Sequence, residues 1–205
     1  LRRQRQMCIR DRYNPAKEYG TPDDVQNIPH PIIGYMGTIN STRLDGELLY
    51  QIISQRPDYS FVFTGPEDDG FRQHRIHSLK NAYFTGQKKV DELPAYITAY
   101  DVCINPQMVN DITDGNYPLK IDEYLAMGKP TVATSTHTMR HIFADHTHLA
   151  TNPEEWLSAI DRAVTEADDK ELAKQRIAFA ETHSWGHSVK KIYGIIDNFL
   201  KEKAT

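Results

Sequence analysis

Cysteine is scarce: Cys8 and Cys103 are the only two in 205 residues, and their contexts differ. A disulfide framework is therefore excluded as the basis of the fold. Cys103 sits in the run Asp101-Val102-Cys103-Ile104 and reads as a buried thiol in a reducing compartment. No apolar run approaches the roughly 18 residues that span a bilayer, and no signal-peptide pattern is visible. Surplus positive charge is also lacking. The 24 Lys and Arg against 28 Asp and Glu leave a net charge of −4 with neutral histidines. That argues against a broad basic face and against nucleic acid as a partner, while leaving room for a local basic site. No G-x-S-x-G, G-x-x-x-x-G-K-[ST] or G-x-G-x-x-G occurs, which removes a nucleophile elbow, a P-loop and a dinucleotide fingerprint. Gly34 and Gly37 make only G-x-x-G.

What is present is an ordinary globular composition, with 39% hydrophobic and 25% charged residues. It suits one domain with a normal core plus a helical extension. The first twelve residues, LRRQRQMCIRDR, carry five arginines and no periodic apolar face. They read either as translated adapter sequence or as a natural basic arm, and they carry no weight for the fold. Residues 13–30 are rich in Pro, Asp and Asn and read as a linker. Residues 31–183 are the expected ligand-binding domain, and 184–205 a closing helix.

Within the domain, short apolar runs alternate with helical patterns. Strands are predicted at 31–36, 60–64, 81–84, 102–105 and 130–134. Leu44, Leu48, Leu49, Ile52 and Ile53 recur at helical spacing. Asp91 is a candidate cap for a helix bearing Leu93, Tyr96, Ile97 and Tyr100. A helix from Pro118 to Met127 is closed by Gly128. After residue 135 the alternation fades. Asn152-Pro153-Glu154-Glu155 starts a helix with Trp156, Leu157, Ile160 and Val164 on one side. Two more helices, at 170–183 and 187–201, meet near Ser184-Trp185-Gly186. Short, wholly apolar strands alternating with helices predict an α/β, Rossmann-like parallel sheet covered on both faces. Such sheets bind ligands at their strands' carboxyl ends. Gly37, Gly65 and Gly86 fall there, where glycine either lets backbone approach a ligand or simply makes a tight turn.

Asn116-Tyr117-Pro118-Leu119-Lys120-Ile121-Asp122-Glu123 opens a helix directly after a strand-end loop. A helix amino terminus attracts anions through its unpaired N–H groups and its dipole. A lysine in the first turn opposes that dipole, which makes sense if an anion such as a diphosphate lies between them. Glu123 projects from the same face as Lys120 and could accept hydrogen bonds from a ribose diol. Residue chemistry alone allows an equal alternative: a Lys120–Glu123 surface pair contributing a few tenths of a kcal/mol.

The pattern P-L-K-x-x-E-Y-L-A-x-G-K-P-x-V at 118–132 resembles the donor-binding motif of retaining glycosyltransferases of the two-domain GT-B type, in the group called family 4-like. GYMGTI, RPDYSFVFTGP, NAYFTGQKKVDELPAYITAYDVCINP and a late SW stand in the family's order, so the resemblance covers roughly residues 31–200. It implies one half of a GT-B fold and a nucleoside diphosphate sugar as substrate. It implies no cofactor, since the leaving diphosphate is often stabilised without a metal. Lys120 and Glu123 match the catalytic positions, the first neutralising the diphosphate and the second holding the ribose. Gly37, Thr38, Gly65, Gln87, Asp114, Asn116, Pro118 and Leu119 match the donor-binding surroundings. Relatives often carry a second glutamate eight positions before Glu123, where this chain has Gly115. Thr113, Asp114 and Asn116 are the nearby substitutes, and the choice among them stays open. Arg43 could also grip phosphate or merely be solvated, and preference falls on Lys120. By analogy the acceptor is a sugar or a lipid-linked sugar held by an amino-terminal half outside this chain. The setting is cytoplasmic, at the inner face of the plasma membrane, with peripheral membrane association of the full-length enzyme. The chain alone is then expected to bind donor but transfer sugar slowly or not at all.

Two other functions fit this architecture: a nucleotide-sugar 2-epimerase, and a receiver-like signalling module. The latter wants an acidic pair after the first strand, where this chain has Gly37-Thr38-Ile39-Asn40. His137, His141, His146 and His148 invite a metal reading, but no H-E-x-x-H accompanies them, and no metal site is assigned. His74 and His77 read as surface residues.

Overall fold

The computed structural model describes residues 12–111, 113–183 and, near the carboxyl terminus, 189, 190, 192–196 and 199. The 184–186 junction lies outside the described residues. The elements are β1 (Ile32–Met36), α1 (Gly46–Ser54), β2 (Ser60–Thr64), α2 (Asp69–Arg72), β3 (Ala82–Gly86), α3 (Leu93–Ala99), β4 (Val102–Asn105), α4 (Leu119–Ala126), β5 (Thr131–Thr134), β6 (His148–Ala150), α5 (Pro153–Thr165) and α6 (Lys170–Thr182). Short 3₁₀ and π turns lie at Arg75–Ser78, Met139–Phe143 and Ala144–His146. The described residues from 189 onward are helical.

Six parallel strands form one sheet in the order β3-β2-β1-β4-β5-β6. The helices cover both of its faces. On one side Ile33, Phe61, Phe63, Val102 and Ile104 pack with Leu49, Ile52 and Ile53 of α1 and with Trp156 and Ile160 of α5. On the other side Ile32, Val62, Cys103 and Ala133 pack with Tyr96 and Ile97 of α3 and with Ile121, Tyr124 and Leu125 of α4. A strand buried on both faces cannot alternate apolar with polar, which is why these runs read as continuous. Gly34 carries no side chain because Tyr100 occupies its place: a Cβ there would fall 2.0 Å from the Tyr100 ring. The strand order is that of the doubly wound dinucleotide-type sheet and not of a receiver module, whose order runs 2-1-3-4-5.

Several boundaries differ from the sequence expectation for physical reasons. Leu44 precedes its helix and bridges to Gln107, while Asp45 caps α1 by accepting from the Leu48 amide at 2.9 Å. Asp91 caps nothing at α3, which starts after Glu92 with no side-chain cap. The Glu92 carboxylate instead accepts from the Lys89 amide at 2.8 Å. β6 was not expected, because its three residues are too few to show a period. His74 is partly buried and caps the 3₁₀ turn, whereas His77 is a surface residue as expected, its ring stacked on Phe84 at 3.9 Å. The expected cap at Asn152 is present, accepting from the Glu155 amide at 2.9 Å, and Gly128 closes α4 with φ 73°.

The segment 13–30 is packed against the domain. Tyr13 and Val25 are buried in the second core. Asp24 accepts from Lys88 at 2.6 Å and from Tyr96 at 2.7 Å.

Candidate functional site

β1 pairs with β2 as far as Met36 opposite Thr64, but with β4 only as far as Gly34 opposite Cys103. Past Cys103 the two strands part, where strand order reverses on either side of β1. Crevices open at such switch points. The Met36 amide, left without a strand partner on this side, donates to the buried Tyr124 hydroxyl at 2.8 Å. Tyr124 thereby wedges α4 against the end of β1. Across the crevice the loops after β1 and β4 are tied together: Asp45 N–H reaches the Pro106 carbonyl at 3.0 Å, and Met108 N–H the Arg43 carbonyl at 2.8 Å.

The result is a cleft of about 980 Å³ at the carboxyl ends of the strands. That volume suits a nucleotide-sized ligand. Its lining includes nine of the ten residues expected from the sequence: Gly37, Thr38, Gly65, Gln87, Asn116, Pro118, Leu119, Lys120 and Glu123. Asp114 is the exception. Its carboxylate accepts from the His137 amide at 2.7 Å, so it orders the start of the turn at 137 and does not line the cleft. Thr113, the other substitute weighed for a missing glutamate, is buried with its hydroxyl bonded to the Met108 carbonyl. Of the three only Asn116 lines the cleft. Lys129 of the same motif turns the other way, its ammonium closing α3 through the Thr98 carbonyl at 2.9 Å and the Tyr100 carbonyl at 2.6 Å.

Two glycines shape the floor. Gly37 has φ 134° and Gly65 φ 151°, a region that side chains rarely adopt. A Cβ at Gly37 would lie 3.0 Å from Lys120 Nζ, so the glycine keeps open the space around the ammonium. Lys120 Nζ donates to the Tyr35 hydroxyl at 2.6 Å and lies 4.0 Å from the centre of that ring. Burial of this cation pushes its pKa down to about 7; Glu123 nearby opposes the shift and Arg43 adds to it. Glu123 is pushed up to about 7, chiefly by burial, against the opposing pull of the Tyr13 hydroxyl, Lys120 and Arg12. Both groups therefore stand at the edge of titration near neutral pH, as groups do where a charged ligand is to complete their environment. The exposed-pair alternative does not describe them, since both are partly buried and the ammonium is seated on a phenol.

Among the lining residues that the sequence did not single out are Tyr35, Tyr117 and Gln107. Tyr117 donates to the buried carboxylate of Asp122 at 2.6 Å, and His183 meets the same carboxylate through Nδ1 at 2.8 Å. The only signal for Tyr35 is an aromatic with a polar tip two positions before a strand-end glycine. Arg43, the lesser choice beside Lys120, also lines the cleft. The His137 and His141 rings lie 4.2 Å apart, tilted at 52°, but among the described residues no group of three or more His, Cys, Asp or Glu could hold a metal ion. Nor, among them, is any helix long and apolar enough to cross a membrane.

Residues 30–166 match the family model described as "Glycosyl transferases group 1". A Bacillus subtilis (strain 168) protein named for teichuronic acid biosynthesis glycosyltransferase activity, TuaH, is 27% identical over 168 residues, covering 78% of this chain and 42% of the relative. The structure titled as the C-terminal domain of a glycosyl transferase group 1 family protein, LpcC, from Francisella tularensis superposes with a TM-score of 0.61 at 19% identity, covering 80% of this chain and 94% of that one. Anabaena Alr3699/HepE, solved in complex with UDP and glucose, gives a TM-score of 0.61 at 15% identity over 87% of this chain and 53% of its own. The chain thus spans about half the length of the full-length relatives it matches.

Proposed function

The chain belongs to the glycosyl transferases of group 1, and from that premise we propose that it is the donor-binding half of an enzyme that moves a sugar from a nucleoside diphosphate sugar to an acceptor. One observation carries the reading: Lys120 Nζ stands beside the Gly37 loop at the switch-point crevice, in space that any side chain at 37 would fill. An ammonium so placed, at the start of a helix whose cap contributes no side-chain acceptor, is arranged to meet a diphosphate. When the bond between the sugar's anomeric carbon and the diphosphate oxygen breaks, negative charge grows on that phosphate. Lys120 and the α4 amino terminus would stabilise it without rearrangement. Glu123, once ionised, would accept from the ribose hydroxyls, and Asn116 would stand nearest the transferred sugar. Gln87 lies at the β3 end of the cleft, where the base would rest.

Uridine diphosphate is the first nucleotide to test, because a structural relative holds UDP. The acceptor would be held by protein outside this chain. The Bacillus relative is named for teichuronic acid biosynthesis, so the product class to test first is a polysaccharide, with assembly at the cytoplasmic face of the membrane as part of the proposal. Calorimetric titration of UDP, GDP and ADP into the chain, Lys120→Ala and Glu123→Ala is the direct test. Saturable binding lost in both variants supports the site. Binding that both variants retain moves it elsewhere.

A further inference from the structure

Tyr35 does more than fill the core. It lies in β1 and is 2% exposed, its ring 6.3 Å from that of Phe63 on the neighbouring strand. A phenylalanine, such as β2 uses at Phe61 and Phe63, would pack there equally well and would need no hydrogen-bond partner. The phenol brings a hydroxyl to the carboxyl end of the strand, and both of its capacities are used. The O–H donates to the Thr38 carbonyl at 3.0 Å. The oxygen accepts from Lys120 Nζ at 2.6 Å. With Lys120 charged, the direction of each bond is settled, because a carbonyl can only accept and an ammonium can only donate. The missing side chain at Gly37 protects the same spot from a third side: a Cβ there would lie 3.0 Å from the Lys120 nitrogen and 3.4 Å from the Tyr35 oxygen.

We infer that Tyr35 is a positioning residue for donor binding, its one hydroxyl setting both the Lys120 ammonium and the Gly37–Thr38 loop against the diphosphate. The inference rests on the donor-binding reading and deepens it. Free to move, a lysine has many rotamers, and ordering it on ligand arrival costs entropy. Seated on Tyr35, it is ordered in advance, and the loop backbone facing it is pinned by the same atom. The charged and titratable groups around the ammonium are Glu123 on its own helix, Arg43 on the loop after β1, Tyr35 on β1 and, through Glu123, Asp122 of the same helix and Arg12 and Tyr13 of the amino-terminal segment. Only Tyr35 touches the nitrogen and the loop together.

Tyr35→Phe tests this, since it keeps the ring and removes both bonds. UDP is titrated calorimetrically into the chain and into Y35F across a pH series. In parallel, the Lys120 side chain is titrated by NMR with ¹³C at Cε, without nucleotide. The variant should stay folded, bind UDP roughly tenfold more weakly, as loss of a hydrogen bond to a charged group implies, and show a Lys120 midpoint at lower pH, because the lost acceptor favoured the charged form. Unchanged affinity together with an unchanged Lys120 midpoint would overturn the inference, even if thermal stability fell, and would leave the donor-binding reading intact as long as Lys120→Ala loses UDP. Failure of the unmodified chain to bind UDP, GDP or ADP would overturn both. Should Y35F not fold, the unmodified chain decides: the Tyr35 ring Cζ resonance should move with the Lys120 titration, and a Cζ shift that ignores it overturns the inference.

Discussion

Gly65 sits so close to Gly37 that a Cβ built on it would fall 1.9 Å from the Gly37 carbonyl oxygen. The two neighbouring strand ends meet there, with Gly37 N–H bonded to the Thr64 carbonyl at 2.9 Å. Backbone meets backbone, so no rotamer change can relieve an added methyl group. The contact fixes the loop that carries Thr38 over the cleft.

Gly65→Ala should therefore lower stability by at least about 2 kcal/mol, from the clash and the disfavoured φ together. Urea unfolding measures it. A loss below about 0.5 kcal/mol, within the range of surface substitutions, would show that the loops separate easily and that this contact does not hold the floor.

Nucleotide binding should weaken as pH rises above neutrality. Lys120 is held down to about 7 in the free protein by burial, and a diphosphate beside it would favour the charged form. Above that pH, binding must take up a proton, so affinity falls by up to about tenfold per pH unit. Calorimetry at about pH 8 in two buffers of different ionisation enthalpy reads the uptake directly. Lys120→Met should bind more weakly and show no such uptake. Equal uptake in the variant would assign the proton to another group.

Without ligand, the same two residues make stability depend on pH in opposite directions. Glu123 is raised from 4.5 to about 7 by burial, so between those values the folded state holds more protons than the unfolded, and stability falls as pH rises. Lys120 is lowered from 10.5 to about 7, so above 7 the unfolded state holds more protons, and stability climbs again. Their joint contribution is least favourable near neutrality. Melting temperatures across pH should show Glu123→Gln flattening the acid limb and Lys120→Met the alkaline limb. Variants that track the parent on both limbs would rule out burial of these charges.

Asp122 joins the cleft wall to the end of α6, being 1% exposed and bonded to both Tyr117 and His183. Asp122→Asn replaces an acceptor by a donor at one of these contacts. It should cost about 1–3 kcal/mol. Guanidinium unfolding would show it, with amide NMR shifts concentrated at Tyr117 and along α6. Shifts confined to α4 would mean that the link to α6 carries no strain.

Much of this was legible beforehand because it depends on local chemistry. Period and composition located five of the six strands among the described residues, since strands buried on both faces are mostly apolar. The caps at Asn152 and Gly128 follow from what their own residues can bond or adopt. What eluded the sequence depended on distant partners. Asp114 looked like a donor ligand until His137 supplied an amide for its carboxylate. Segment 13–30 looked like a linker because its anchors, Tyr13, Val25 and Asp24, are scattered singly among polar residues.

By itself the sequence determined the strand–helix rhythm, the glycines at the strand ends and a lysine in the first turn of a helix that follows a strand-end loop. These follow from the side chain's own size, polarity and allowed dihedrals. Only the tertiary structure decided that β1 and β4 part beyond Cys103, that Lys120 rests on Tyr35 from 85 positions away, and that burial brings Lys120 and Glu123 to the edge of titration. Those are properties of surroundings, set when strands far apart in the chain become neighbours and exclude water from the groups between them.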